Sequence, residues 1–173
     1  MVRDGYDKIS HAYRGNVIDL SDSHQSLRAQ WVTELQQLVK PGAAILDLGC
    51  GNGIPTTKLL ADAGYFVTGA DISPVQVDRA RQNVPRARFT CIDMTKLHLA
   101  SASFDAVVSL YAIIHVPMTE QPGLFSNIAH WLKSDGYFMT TVGAYTWTGT
   151  VDNWLDANAP MYWSHADSAT YVR

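Results

Sequence analysis

The sequence has 173 residues, 47% of them hydrophobic, which is enough for one domain with a sizeable core and excludes a disordered chain. Thirteen Lys and Arg against sixteen Asp and Glu leave a net charge of −3 with no long block of like charge, so neither an extended phosphate-binding face nor a nucleic-acid partner is expected. No apolar run reaches bilayer length, the N-terminus carries no signal-like stretch, and neither Cys50 nor Cys91 has a second Cys or a His at ligand spacing, so the expectation is a cytoplasmic protein with no membrane span and no metal site.

In chain order, Ser23 to Val39 carries Leu27, Trp31, Leu35, Leu38 and Val39 at helical spacing, with Ser21, Asp22 or Ser23 as N-cap and Pro41-Gly42 as the stop. The run from Ala43 to Leu48 is a strand closed by a glycine-rich turn, and Ile54 to Ala63 follows as a helix with Pro55 in its first turn and Gly64 past its end. A second strand, Tyr65 to Ile72, leads into Ser73-Pro74-Val75-Gln76, a capping box that opens a helix to about Asn83. Pro85 separates this helix from a third strand, Ala87 to Asp93, and the nearly continuous apolar run Phe104 to Tyr111 suits a central strand covered on both faces. Thr119 is the expected cap of a helix bearing Leu124, Phe125, Ile128, Ala129 and Leu132, and Ser134-Asp135-Gly136 turns into a fifth strand, Tyr137 to Val142. Thr146 to Ser164, with Trp147, Trp154, Tyr162 and Trp163 among Asp, Asn and Gly, reads as a long aromatic loop. Five strands alternating with helices imply an α/β fold whose ligand crevice lies at the carboxyl ends of the parallel strands.

The chemistry-bearing turn is Asp47-Leu48-Gly49-Cys50-Gly51-Asn52-Gly53, where glycines let the backbone pass close under a ligand. Asp71 ends the second strand, placed to accept the two hydroxyls of a ribose, and Asp93 ends the third, within reach of an exocyclic amine. The residue after Gly53 is Ile54, which breaks the dinucleotide spacing, and three converging aspartates oppose a pyrophosphate while favouring a cationic sulfonium nucleoside.

Ile45 to Gly53, Gly69 to Ser73, Cys91 to Met94, Phe104 to Ser109 and Leu132 to Gly136, taken in order and spacing over residues 43 to 143, resemble the successive motifs of class I S-adenosylmethionine-dependent methyltransferases of the bacterial small-molecule type. The resemblance implies a Rossmann-like, doubly wound three-layer sandwich with strand order 3-2-1-4-5, in a single domain divided into a helical cover (1–42), a donor-binding core (43–143) and an acceptor-side loop (144–173). It implies that Asp47, Gly49, Cys50, Gly51 and Gly53 frame the methionine moiety of S-adenosylmethionine, with Asp71 on the ribose and Ile72 on the adenine. Asp93 and the Met94 amide would read the adenine edge, Leu110 would line the opposite side, and Tyr13 would help close the donor pocket. Family members finish the sheet with a further helix and an antiparallel strand pair, whereas this sequence stops at Tyr171-Val172-Arg173, a few residues into such a helix. On this reading the last strand pair is missing, strand five is an edge with unpaired backbone groups, and a homo-oligomer through that edge is the expected partner arrangement beside a small-molecule acceptor.

Methyl transfer asks mainly for positioning, with a base where the acceptor is protonated. His115, just past strand four, and His165, beside Trp163, are the candidate catalytic residues, set against the plainer readings that His115 caps the following turn or bonds a backbone carbonyl and that His165 is an N-terminal residue of the last helix. Tyr6, Tyr111, Trp147 and Trp163 are candidate contacts of an aromatic or heteroaromatic acceptor, although tyrosines in clefts commonly only pack. Cys50 reads as a small filler; at about 4.8 Å per strand step it lies about 9.6 Å from Cys91 across the sheet, too far for a disulfide. Arg79, Arg81, Arg86 and Arg88 read as a solvated face. Two other classes stay open from the residues: a non-catalytic donor-binding subunit, and a nicotinamide-dependent oxidoreductase on the same architecture.

Overall fold

The computed structural model describes residues 1–172. Two helices, α1 (Val2–Tyr13) and α2 (Ser23–Leu38), precede the alternating core: β1 (Ala44–Leu48), α3 (Thr56–Asp62), β2 (Phe66–Asp71), α4 (Pro74–Asn83), β3 (Arg88–Cys91), β4 (Phe104–Ser109), α5 (Gln121–Trp131) and β5 (Leu132–Thr140). The five strands form one parallel sheet in the order β3-β2-β1-β4-β5, as the sequence implies. The turn expected at Ser134-Asp135-Gly136 interrupts β5 internally: the register jumps from Phe104 opposite Leu132 to Ala106 opposite Tyr137, with Asp135 at φ 63°.

Alternation across β1 decides the layers. Ile45 faces one side with Val32, Leu35, Val39 and Leu60, while Leu46 and Leu48 face the other with Leu124, Ile128 and Trp131. Both faces are covered, which is why Ala106, Val107 and Val108 of β4 are all wholly buried. Several start signals act as expected. Asp22 caps α2 through His24 and Gln25 amides, and the Ser73 hydroxyl accepts from the Gln76 amide with Pro74 in the first turn of α4. Thr119 does not cap α5: a turn begun by the Pro117 carbonyl, which accepts from the Glu120 and Gln121 amides, leads in and leaves Glu120 at the cap position.

Two expectations about packing are corrected. Helix α2 buries Gln25, Arg28, Val32 and Leu35, while Leu27 and Leu38 lie exposed; the inward stripe is rotated from the apolar one because two of its positions are polar. The stretch after β5 is not a loop but an antiparallel hairpin, β6 (Trp147–Val151) with β7 (Met161–His165), followed by α6 (Ser168–Tyr171), the start of a last helix that the sequence suggests; Arg173, assigned with it, lies outside the described residues. The hairpin packs on the turn after β4 rather than extending the sheet. Buried Gln121 anchors it, its amide donating to the Val116 and Ser164 carbonyls at 2.8 Å each and its oxygen accepting from the Tyr171 hydroxyl at 2.7 Å.

Candidate functional site

At the carboxyl ends of the parallel strands lies a cavity of about 550 Å³, the size class of a small-molecule site. Its floor is the turn after β1. Gly49 and Cys50 amides both donate to the Ala70 carbonyl, and Gly49 sits at φ 75°, where an added Cβ would come 2.1 Å from the Ala112 Cβ, so only glycine fits. Gly51 lines the cavity at φ 55°, and a Cβ there would meet nothing within 4 Å; the space above this residue is open. Gly53 is different from its expected role: it does not reach the cavity, and its missing Cβ makes room for Val84 at the end of α4.

Asp71 ends β2 with its carboxylate oriented from both sides, Oδ2 accepting from the Gly51 amide at 2.8 Å and Oδ1 from the Ser73 amide at 2.9 Å. Burial pushes its pKa up, and these two amides work against that shift. Asp47, 2% exposed, is pushed up to about 6 by burial, opposed by the Thr57 hydroxyl, which donates to it at 2.6 Å. Ile72, Met94 and Leu110 stand in the same wall, with Asp93, whose Oδ1 accepts from the Thr95 amide and hydroxyl at 3.0 and 2.8 Å. Cys50 is buried with its thiol pKa raised by that burial, Cys91 is exposed, and both are free, consistent with a filler and with the strand-spacing argument.

The charge argument made from the sequence needs correction, because Arg3, Arg14 and Arg28 line the same cavity as the aspartates. Arg14 donates to the Ile54 carbonyl at 2.8 Å and lies 4.9 Å from the Tyr13 ring centre; burial lowers its pKa. Arg28 is 4% exposed and lies over the Tyr111 ring at 4.3 Å, yet its hydrogen bonding among the described residues is a single 3.4 Å contact to the His24 carbonyl. A guanidinium has five N–H donors, so a buried one with its fork open to a cavity is suited to a carboxylate. No ion pair joins these arginines to Asp47 or Asp71 among the described residues. Sequence reading missed Arg28 because it sits inside a helix chosen for its apolar spacing; its place one turn before Val32 was the available signal.

The roof is α1 and the hairpin. Tyr6 and Tyr13 both line the cavity and meet edge to face at 5.3 Å, and Trp154 packs on both at 5.4 Å. His115 lines the cavity too, but both ring nitrogens are engaged: Nε2 lies 3.0 Å from the Tyr6 hydroxyl and Nδ1 2.6 Å from the Tyr162 carbonyl. Burial lowers its pKa. His165, the second candidate base, is not at the cavity: its Nδ1 is bonded to the Tyr145 carbonyl at 2.7 Å and its ring lies against Gly143. Trp147 and Trp163 do not line it either; Trp163 stacks behind His115 at 5.4 Å and Trp147 behind Trp163 at 5.9 Å. They support the wall because the hairpin, absent from the sequence reading, turns their strand faces that way. Tyr111 does line the cavity, beneath Arg28.

Arg79, assigned to a solvated face, is buried and binds the roof to the core: it donates to the Ser10 and Arg14 carbonyls, the Ser10 hydroxyl and the Asn16 side chain. The Ser73 hydroxyl donates to Asp7 beside it. Thus the residue that caps α4, two positions after Asp71, also docks α1.

The sequence profile of a methyltransferase domain family matches residues 45–136. The chain is 36% identical over 118 residues to a sterol 24-C-methyltransferase of Gibberella zeae, covering 65% of this chain and 30% of that protein. It is also 36% identical over 108 residues to a 2-methyl-6-phytyl-1,4-hydroquinone methyltransferase of Synechocystis, covering 55% of this chain and 34% of that protein. The chain therefore spans about a third of the length of these curated relatives. Among solved structures, magnesium protoporphyrin IX methyltransferase of Synechocystis with bound S-adenosylmethionine superposes with a TM-score of 0.59 at 26% identity, covering 75% of this chain and 69% of that one.

Proposed function

Because the chain belongs to the class I S-adenosylmethionine-dependent methyltransferases, we propose that it transfers the methyl group of S-adenosylmethionine to a small organic acceptor held under α1, with an aromatic or heteroaromatic ring as the fitting acceptor class. The observation that carries the reading is the pairing, in one cavity, of a carboxylate oriented by two backbone amides, Asp71, with an underused buried guanidinium, Arg28. An amino-acid nucleoside needs both. Arg28 would take the amino-acid carboxylate, the open floor over Gly51 the methionine chain, and Asp71 the ribose hydroxyls. Ile72 and Met94 would enclose the adenine, with Asp93 at its edge and Leu110 opposite. Asp47 places negative charge under the cationic end of the ligand.

When bound, the donor supplies an electrophilic methyl on a positively charged sulfur. The protein's own part is to orient the acceptor, exclude water with the Tyr6, Tyr13 and Trp154 roof, and receive a proton where the acceptor has one to lose. As a protein partner, a second copy along the β5 edge is the arrangement that fits.

Calorimetric titration with S-adenosylhomocysteine tests the donor site. Micromolar binding is expected, and Asp71→Ala should weaken it by about tenfold to a hundredfold, the loss of hydrogen bonds to a charged group. Unchanged affinity in that variant would remove the ribose assignment, and no binding by the unaltered chain would remove the methyltransferase reading. The family names above span sterol and hydroquinone acceptors, and the aromatic roof supports the latter kind.

A further inference from the structure

We propose that Tyr6 is the residue that meets the acceptor, and that the methyl-receiving atom is a hydroxyl oxygen or an amine nitrogen still carrying its proton, with His115 acting through Tyr6 as a positioning residue and proton store. The proposal rests on the methyltransferase reading of the same cavity and adds the acceptor's chemistry to it.

The hydrogen-bond directions are fixed by one backbone group. The Tyr162 carbonyl, 2.6 Å from His115 Nδ1, can only accept, so Nδ1 carries the hydrogen. The neutral ring then offers a lone pair at Nε2, and the Tyr6 hydroxyl at 3.0 Å is its donor. With its hydrogen committed to His115, the Tyr6 oxygen can only accept from whatever enters the cavity. An oxygen with that one capability selects a ligand that donates, such as a phenol, a quinol or an amine, and has nothing to offer a carbon–carbon double bond. Its position is rigid, boxed by Tyr13 at 5.3 Å and Trp154 at 5.4 Å, and His115 is held from behind by Trp163 at 5.4 Å. Burial keeps the imidazole neutral near pH 7, and the groups that face it are the Tyr6 phenol from α1 and, from β7, the Tyr162 carbonyl and the uncharged Trp163. The ring therefore rests unprotonated with a lone pair at Nε2, and burial favours prompt release of any proton it takes up.

The step balances without a further reactant. The acceptor's lone pair forms the bond to the methyl carbon as the carbon–sulfur pair returns to sulfur. The acceptor's proton passes to the Tyr6 oxygen, and the Tyr6 hydroxyl proton passes to His115 Nε2. Tyr6 ends neutral, and His115 ends as an imidazolium that still donates from Nδ1 to the Tyr162 carbonyl.

The first test needs no turnover. In nitrogen-15 labelled protein without ligands, long-range proton–nitrogen spectra of the histidine rings should show His115 with Nδ1 protonated and Nε2 bare, and Tyr6→Phe should move the Nε2 resonance toward that of an unbonded nitrogen. The second test offers S-adenosylmethionine with hydroquinone, catechol and tyramine beside squalene as a hydrocarbon alkene. Methylation of members of the first group is expected, and Tyr6→Phe should lower kcat by about 10²–10⁴-fold with little change in KM. An Nε2-protonated His115, wild-type kcat in Tyr6→Phe, methylation of squalene alone, or no methylation of any hydroxyl or amine probe would each overturn the proposal. S-adenosylhomocysteine binding separates the two layers: its loss in the unaltered chain defeats the donor reading, whereas its retention with a contrary tautomer or kcat defeats this inference only.

Discussion

Asp47 concentrates the energetics of the site in one side chain. It is raised to about 6 by burial, with Thr57 as its hydrogen-bond donor and no cation paired to it among the described residues. Between the usual carboxylate value near 4 and this raised value, the folded chain holds a proton that the unfolded chain has released, so stability falls as pH rises through that window and stays reduced above it. Asp47→Asn keeps an acceptor for Thr57 and removes the charge. It should raise the stability of the ligand-free protein by about 3 kcal/mol at pH 7.5 and by little at pH 4, as read from denaturant unfolding at the two pH values; an equal effect at both would show that the charge is not the cause. The same variant should lose the tightening of S-adenosylmethionine binding expected between pH 5 and 7.5. Asp47 and Asp71 were legible in the sequence because a carboxylate at a strand's carboxyl end beside glycines has few structural uses. Arg28 was not, since the buried face of α2 runs Gln25, Arg28, Val32, Leu35, and half of those positions look like solvent positions until a cavity lies beneath them.

At the scale of elements, α1 is held by polar contacts rather than by a broad apolar face, its fully buried apolar side chain being Ile9. Arg79 supplies two of them, both at Ser10, and also fastens the Arg14 carbonyl and the Asn16 side chain just beyond the helix. Arg79→Ala leaves the Arg14 carbonyl without a donor, and leaves the Ser10 carbonyl and the Asn16 side chain with only the Arg14 amide at 3.3 Å and the Asn83 side chain at 3.5 Å, so a loss of about 2–4 kcal/mol is expected. That loss should fall on α1: its amides should exchange with deuterium faster, while those of β1 and β4 stay protected. Uniform loss of protection across the sheet would instead make Arg79 a support of the whole fold. The core elements could be read because strand and helix periods alternate cleanly from Ala44 to Thr140. The hairpin could not, because the segment joining its strands is long and carries Leu155, Asp156 and Asn158 at positive φ, and such a connection between two five-residue strands looks like irregular chain. The alternation in Trp147-Thr148-Gly149-Thr150-Val151 was the one signal present, outweighed by the density of Trp, Asn and Asp around it.

For the molecule as a whole, the surface suited to association is β5, an edge strand among the described residues, with Tyr137 at 40% exposure. Unpaired strand edges recruit other edges, so concentration-dependent dimerisation is expected in sedimentation velocity, and Tyr137→Lys should shift the chain toward monomer; a monomer at hundreds of micromolar would show that the edge is already protected. The roof spans much greater distances along the sequence. Its fastenings join Asp7 to Ser73, 66 residues on, Ser10 to Arg79, 69 residues on, Tyr6 to His115, 109 residues on, and Lys8 to Asn158, 150 residues on. On the ribosome, then, α1 emerges before every group that fastens it, and it must wait as a lone amphipathic segment while the sheet is assembled behind it. A chain interrupted during synthesis before Trp163 would own the strands and the glycine turn but lack a complete lid, so the site closes only when the far end of the hairpin has been made.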